Sequence, residues 1–344
     1  MQRCIELAAL GAGNVAPNPM VGALLVFNNR IIGEGYHETF GYAHAEVNCI
    51  TGIKDADRCL IEKSTLYVSL EPCAHFGKTP PCVDLIIEQK IQHVVIGCRD
   101  SFEKVNGAGI NKLIAAGIKV DVGILETACI DLNRRFFTLH QKKRPYIILK
   151  WAQSQDGFIA SEANTKTKIS NIYTDRLVHK WRSQEAAILV GANTVKTDNP
   201  TLTTRNWKGK NPVRIIIDEA LKLSNNSNVF NVEADSIVIN RKLSAVKENV
   251  EYYKIDNSQL VIDGVLDCLY KRGINSVIVE GGSITLQYFI NAGLWDEARI
   301  ITNTSMFLKN GVNAPKLNHQ NIVSSIEILN NQIDFFLNNN NDSL

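Results

Sequence analysis

The sequence predicts an α/β protein of two domains, a three-layer α/β/α domain followed by a second α/β domain. Three observations carry this. The chain has 344 residues, too many for one ordinary core, and 45% of them are hydrophobic, enough to build two. Short apolar, β-branched runs alternate with helical periodicities along most of its length. The alternation breaks once, at the polar and basic LHQKKRP of residues 139–145, which proline ends and which reads as a linker. The domains are therefore expected at 1–141 and 145–337, with 338–344 a flexible tail.

Residues 3–10 carry apolar positions at helical spacing, and the PNP turn at 17–19 stops any continuation. GALLVF (22–27) and IIGEGY (31–36) flank an NNR turn and read as a hairpin, after which HAEVNCI (44–50) begins a second helix. TLYVSL (65–70) is a third strand that runs directly into EPCAHFGKTPPC. From Cys82 onward, VDLIIEQK reads as a helix, HVVIGC (93–98) as a strand, INKLIAAG (110–117) as a helix and IKVDVG (118–123) as a strand. Beyond the linker the strands are YIILKW (146–151), AAILVG (186–191), VRIIID (213–218), SIVI (236–239), SVIVEGG (276–282) and EARIIT (297–302). Helices fall near 173–184 and after Gly282. LNNNNDSL (337–344) has no apolar face and is expected to fray.

Composition narrows the function. Against 35 Asp+Glu stand 37 Lys+Arg, a formal net charge of +2 that does not mark a nucleic-acid or membrane-surface protein, so small-molecule partners are expected. No apolar run approaches the roughly 18 residues a membrane span needs. Glu6 interrupts the short N-terminal apolar stretch, and a soluble cytoplasmic protein is expected. Eight cysteines in a chain of this length are not a disulfide framework. Most read as small buried hydrophobes, but Cys73 and Cys82 lie in a stretch rich in Pro, Gly and His, where a metal can reach a thiol.

His44-Ala45-Glu46, then Pro72-Cys73, then Cys82 supply one imidazole, two thiols and a carboxylate, the set that hydrolytic deamination needs. Zinc accepts nitrogen and sulfur together, and three protein ligands leave its fourth position open to water. Glu46, two residues past the imidazole, is the candidate to take that water's proton and hand it to the ring nitrogen and the departing amine. Cys82, at a helix start, gains from the positive end of the dipole. Between the two cysteines stand eight residues, where the generic deaminase signature has two.

PNPMVG, HAE and EPCAHFGKTPPC together resemble the deaminase domain of the bifunctional deaminase/reductase family of riboflavin biosynthesis, whose longer cysteine spacing this chain shares. The likeness continues through GCRDSFEKVNGAGI (97–110), LNRRFF (132–137) and the second domain. It implies a cytidine-deaminase-like first domain acting on a diaminopyrimidinone that bears a ribose 5-phosphate, with zinc on His44, Cys73 and Cys82 and proton transfer by Glu46. It also implies substrate contacts at Asn18, His37, His75 and Lys78. Asn18 can pair with a ring amide edge, Lys78 offers charge to a phosphate, and His37 and His75 can donate to a carbonyl. Asn18 fits equally a role in holding its own turn, and Lys78 a solvated surface position. Ser101-Phe102 stands where many relatives have Pro-Asn.

The second domain lacks G-x-G-x-x-G after its first strand, which argues against a standard Rossmann nucleotide site. KWAQSQDGFIA (150–160), GANTVKTDNPTLTTR (191–205) and VEGGSITLQYF (279–289) resemble the reductase half of the same family, which has a dihydrofolate-reductase-like fold and uses NADPH. The resemblance places NADPH against Gln153, Lys168, Thr194, Asp198 and the run Gly282, Ser283, Ile284, Thr285, Leu286, Gln287 and Tyr288. It places substrate against Lys166, Arg182, Leu202, Arg205 and Glu280. Arg182 and Arg205 are the expected phosphate clamps, because a planar guanidinium pairs with two phosphate oxygens. The implied chemistry is hydride delivery to C1 of the open-chain ribose, with Asp198 the carboxylate placed to assist a proton. Lys166 and Lys168 depart from the residues common at those positions. The resemblance also implies a homo-oligomer, dimer or tetramer, joined through the reductase half. Three other readings remain: a nucleoside or polynucleotide deaminase with an unrelated second domain, a non-catalytic zinc-stabilised module, and a deaminase whose reductase-like domain is inactive or specialised.

Overall fold

The computed structural model describes residues 1–101, 106–161, 167–318 and 320–338. It divides between Lys143 and Arg144 into two units. The first contains, in chain order, α1 (Gln2–Ala9), β1 (Gly22–Phe27), β2 (Arg30–Tyr36), α2 (Ala45–Thr51), β3 (Thr65–Leu70), α3 (Cys82–Glu88), β4 (His93–Cys98), α4 (Ala108–Ala115), β5 (Lys119–Val122), α5 (Glu126–Leu132) and α6 (Arg134–Lys142). A 3₁₀ stretch, Asp55–Lys63, leads into β3.

Its sheet runs β2-β1-β3-β4-β5, with β1 antiparallel to both neighbours and β3, β4 and β5 parallel. The two-residue period of β1 explains the layering. Ala23 and Leu25 point to one face and pack with Ala45 and Cys49 of α2, Val83 and Ile86 of α3 and Leu113 of α4. Leu24 points to the other and packs with Cys4 and Leu7 of α1. Helices thus cover both faces. α1 comes so close that a Cβ at Gly22 would lie 2.0 Å from the Cys4 carbonyl oxygen, so only glycine fits there. The carboxyl end of β3 leads into the segment that carries Cys73, at the end of the parallel strands where such a sheet usually takes a ligand.

The second unit contains β6 (Tyr146–Ser154), β7 (Phe158–Ser161), α7 (Ile172–Gln184), β8 (Ala187–Gly191), α8 (Ala192–Asp198), β9 (Val213–Ile217), β10 (Ser236–Asn240), β11 (Ala245–Lys247), β12 (Val250–Lys254), α9 (Val261–Lys271), β13 (Ser276–Val279), α10 (Ser283–Asn291), β14 (Glu297–Asn303), β15 (Gly311–Asn313), β16 (Gln320–Ile328) and β17 (Asn331–Asn338). Ten of these strands form one sheet, ordered β11-β12-β10-β9-β8-β13-β6-β14-β17-β16. Ile147, Leu149 and Leu189 pack on α9 and α10 through Val265, Leu269, Leu286 and Phe289. Ile148, Ile188, Val190, Ile216 and Ile278 pack on α7 through Val178 and Trp181. Burial on both faces is why these strands read as unbroken apolar runs.

Two expectations change. The units divide inside the segment 139–145, as expected of a boundary, but most of it is helical: α6 runs into it to Lys142, its apolar face supplied by buried Phe136, Phe137 and Leu139. The polar residues read as linker are the outer face of that last turn, and Arg144 belongs to the second unit. Its guanidinium donates to both carboxylate oxygens of buried Asp296, at 2.6 and 2.8 Å. Nor does the tail begin at 338. Asn338 closes β17 and donates its side-chain amide to the Trp295 carbonyl at 2.8 Å, so an asparagine with no apolar surface is held by backbone hydrogen bonding instead.

Candidate active sites

In the first unit, His44 occupies the N-cap position of α2 with extended backbone (ψ 168), which keeps its ring outside the helix. Cys73 follows β3, and Cys82 opens α3. The structure brings the three together. His44 Nδ1 lies 3.5 Å from Cys73 Sγ and 3.3 Å from Cys82 Sγ, and the three ligand atoms fall within 4.8 Å of one another. Tetrahedral zinc with ordinary Zn–S and Zn–N lengths separates a sulfur from a nitrogen by about 3.6 Å, so the donor set fits that ion. Backbone amides at the start of α3 fix the first thiol: Cys82 N–H donates to Cys73 Sγ at 3.3 Å, and Val83 N–H to the Cys73 carbonyl at 3.2 Å. A hydrogen bond from the Cys82 thiol draws Cys73 down to about 4, the His44 ring adding to it, while that same contact and burial push Cys82 up. Thr79 Oγ1 sits 3.5 Å from the other nitrogen of His44, Nε2.

Glu46 lies in the first turn of α2 and is buried. Burial, with the Cys73 sulfur beside it, pushes its carboxyl above the ordinary range, as a group that accepts and returns a proton requires. His37 is also buried, and burial lowers its pKa, so the ring is neutral. Its Nδ1 faces the Ala43 carbonyl at 3.0 Å and must carry the proton there, which leaves Nε2 to accept from the Asn18 amide at 3.3 Å. The sequence-based expectation that His37 donates to a substrate carbonyl therefore gives way: the ring orients Asn18, whose amide oxygen is left for a ligand. His75 is half-buried in the loop between the cysteines. Lys78 is exposed, with its ammonium 4.1 Å from the centre of the Phe40 ring.

Glu71 was missed by sequence reasoning. Buried at the end of β3, it accepts from the backbone N–H of Asp100 (3.3 Å), Gly107 (3.1 Å), Gly109 (3.0 Å) and Ile110 (3.3 Å). It ties the strand that delivers Cys73 to the start of α4. Gly109 is required at that junction, since a Cβ there would lie 2.2 Å from the Pro72 carbonyl oxygen. A glutamate directly after an apolar strand was the available signal.

In the second unit, Glu280 ends β13 at the centre of a buried ion cluster. Arg182 grips it with two bonds, Nε to Oε1 at 2.8 Å and Nη2 to Oε2 at 2.7 Å, and Lys150 Nζ approaches Oε2 at 3.2 Å. Burial opposes its ionisation, but Arg182 and Lys150 win and hold the carboxyl far below the usual carboxylate range. Arg182 is thus not a free fork for a ligand phosphate, because its paired donors are spent on Glu280. Arg205 is exposed and ties one nitrogen to Thr201 Oγ1 at 2.9 Å. Leu202 is buried with a left-handed backbone (φ 57), which turns the segment between them. Lys150 was not anticipated, although a lysine inside the run YIILKW was the sign of it. Lys166 lies outside the described residues.

β8 and β13 are parallel neighbours, and the helices after them, α8 and α10, start side by side. Gly282 N–H donates to Thr194 Oγ1 at 2.9 Å, and a Cβ at Gly281 would lie 2.9 Å from the same oxygen. A Cβ at Gly191 would lie 2.7 Å from Thr285 Oγ1. These glycines let the starts of α8 and α10 approach closely, each turn facing a threonine hydroxyl of the other. Ile284 and Tyr288 are exposed, whereas the Leu286 side chain is buried in the core and can serve a cofactor only through its backbone. Ser283 and Gln287 bond to the 313–316 segment. Asp198 ends α8, half-buried. Gln153 accepts from Trp151 at 2.8 Å and donates to Thr302 at 3.3 Å, and exposed Lys168 pairs with Asp175 at 3.4 Å.

Comparison with known proteins bears on both units. Residues 1–98 match the cytidine and deoxycytidylate deaminase zinc-binding region, and residues 145–308 match the RibD C-terminal domain. Riboflavin biosynthesis protein RibD of Aquifex aeolicus is 36% identical over 342 residues, covering 97% of this chain and 94% of that protein. RibD of Bacillus amyloliquefaciens is 37% identical over 308 residues, covering 86% of this chain and 81% of its own. The crystal structure of a diaminohydroxyphosphoribosylaminopyrimidine deaminase/5-amino-6-(5-phosphoribosylamino)uracil reductase from Thermotoga maritima superposes with a TM-score of 0.90 at 37% identity, covering 98% of this chain and 97% of that one.

Proposed function

The chain belongs to the bifunctional deaminase/reductase family of riboflavin biosynthesis, and from that premise we propose which of its side chains carry each step. The enzyme removes the ring amine of 2,5-diamino-6-(5-phosphoribosylamino)pyrimidin-4(3H)-one by zinc-dependent hydrolysis, giving 5-amino-6-(5-phosphoribosylamino)uracil and ammonia. With NADPH it then reduces the ribose to the ribityl chain.

His44, Cys73 and Cys82 would hold the zinc, which when bound would make water a nucleophile near neutral pH. Glu46 would take one proton from the attacking water for the ring nitrogen and then the remaining hydroxyl proton for the amine, which leaves as ammonia. Its buried carboxyl, two residues from the imidazole ligand, supports this role. Asn18 reads the pyrimidine edge with its amide oxygen, held in place by neutral His37. His75 and Lys78 complete the substrate side, Lys78 meeting the phosphate with a charge that rests on Phe40 until then. The observation that carries the reading is the 3.3–3.5 Å convergence of imidazole and thiols beside a buried carboxyl group.

In the reductase half, NADPH supplies the hydride. Thr194, Asp198, Gln153, Lys168 and the turn from Gly282 to Tyr288 would hold it, with Leu286 acting through its backbone. Glu280, fixed as an anion by Arg182 and Lys150, accepts from the sugar hydroxyls. Arg205, with the Leu202 turn, meets the 5-phosphate. Lys166 is kept as a substrate contact on resemblance alone.

A homo-oligomer, dimer or tetramer, joins through the reductase half. The edge strand β16 supports this: its backbone is unpaired on one side, and Ile322 and Val323 are 67% and 58% exposed. Cytoplasmic residence fits thiol ligands that must stay reduced. No described helix is long and apolar enough to cross a membrane.

Glu46→Gln is expected to lower ammonia release about 10²- to 10⁴-fold with zinc retained; unchanged turnover would remove Glu46 from the reaction. Arg205→Ala is expected to raise the reductase KM for substrate about tenfold while NADPH affinity holds; an unchanged KM contradicts the phosphate assignment. Light scattering is expected to give a mass of two or four chains, and Ile322→Lys with Val323→Lys to lower it; a wild-type monomer counts against the edge-strand interface.

A further inference from the structure

His179 lies on α7 three residues before Arg182, so both occupy one helix face, and it is only 4% exposed. Its Nδ1 is buried without a hydrogen-bond partner among the described residues. The groups facing the ring come from several elements: Arg182 from α7, Arg205 from the segment after α8, Glu280 from the end of β13, and the Thr203 backbone, which accepts from the ring. Arg182 Nη1 donates to that same Thr203 carbonyl at 3.3 Å, and Lys150 stands behind Glu280 at 3.2 Å. Arg182, Arg205 and Lys150, with Lys168, stand against the anions Glu280 and Asp175, the latter four residues before His179 on the same helix and paired with Lys168, so the cluster stays cationic while His179 is neutral.

Burial first, then the two guanidinium charges, bring His179 down to about 4 in the protein alone. Its proton then sits on the nitrogen facing Thr203, and Nδ1 is an acceptor, the wrong polarity for a phosphate oxygen. A sugar phosphate carries close to −2 at neutral pH, enough to cancel the cluster's charge. Docking it offsets the guanidinium repulsion that adds to burial in keeping His179 neutral and sets an anion beside the ring, and a proton on Nδ1 then gives the orphaned nitrogen a partner.

We propose that His179 is a second donor to the sugar phosphate in the reductase site, taking a proton from solvent as the phosphate docks on Arg205. This rests on the phosphate reading of Arg205 given above. It gives substrate binding a proton uptake at His179 below the ordinary imidazole range, opposed by the proton that the phosphate itself gives up.

The test is calorimetric binding of ribose 5-phosphate to the NADPH-saturated full chain at pH 6, in buffers of different ionisation enthalpy. The difference between wild type and Arg205→Ala isolates the reductase site from the deaminase site. Wild type is expected to take up on the order of half a proton more than His179→Gln, which retains only the phosphate's own release. Equal proton counts, with binding still weakened by Arg205→Ala, overturn the His179 proposal and leave the clamp reading standing. No effect of Arg205→Ala overturns the clamp reading and this proposal with it. Should His179→Gln fail to fold, nuclear magnetic resonance of labelled histidine in the wild type decides: the His179 midpoint must rise with ribose 5-phosphate, and an unmoved midpoint overturns the proposal.

Discussion

Everything in the first unit is arranged around the meeting of one imidazole and two thiols that are far apart in sequence. His44 comes from before α2, Cys73 from the end of β3 and Cys82 from the start of α3. Three unlinked side chains converge only if the backbone is fixed at each origin. The Glu71 carboxylate does this for Cys73 by collecting four amide protons, two from the β4–α4 connection and two from the first turn of α4. For Cys82, the helix itself supplies the first N–H to the neighbouring sulfur. Glu46 then needs no separate device, since one helical turn fixes its distance from His44.

The second unit solves a different problem, holding an anion inside a cationic pocket. Burying Glu280 unpaired would favour its protonated form. Two cations from different elements reverse that, and the bidentate Arg182 contact also fixes the carboxylate's plane. The cost is that Arg182 is no longer a free clamp. What remains positive toward a ligand is Arg205 and the cluster's net charge, which His179 feels directly.

How legible this was depended on distance along the chain. The zinc ligands and Glu46 could be read because short motifs carry them, HAE within three residues and the two cysteines within one loop. The strands of the sheet interiors were legible through their unbroken apolar runs. The pairing of Arg182 with Glu280 was not, because 98 residues separate them and nothing in either neighbourhood encodes the other. The tautomer of His37 depends on a single carbonyl, that of Ala43, which no pattern predicts. Helix α6 hid in the expected linker because its polar face was read without its apolar one, and β16 was missed because its alternation is not set by burial: nearly every residue of it is exposed.

The most direct measurement of the central claim is zinc K-edge X-ray absorption on the purified wild-type protein. The account predicts two sulfur neighbours at about 2.3 Å and two nitrogen or oxygen neighbours at about 2.0–2.1 Å, one of them lost when a small competing ligand enters the open position. A site closed by four protein ligands, or a count of two sulfur neighbours that persists in Cys73→Ser or in Cys82→Ser, would contradict it.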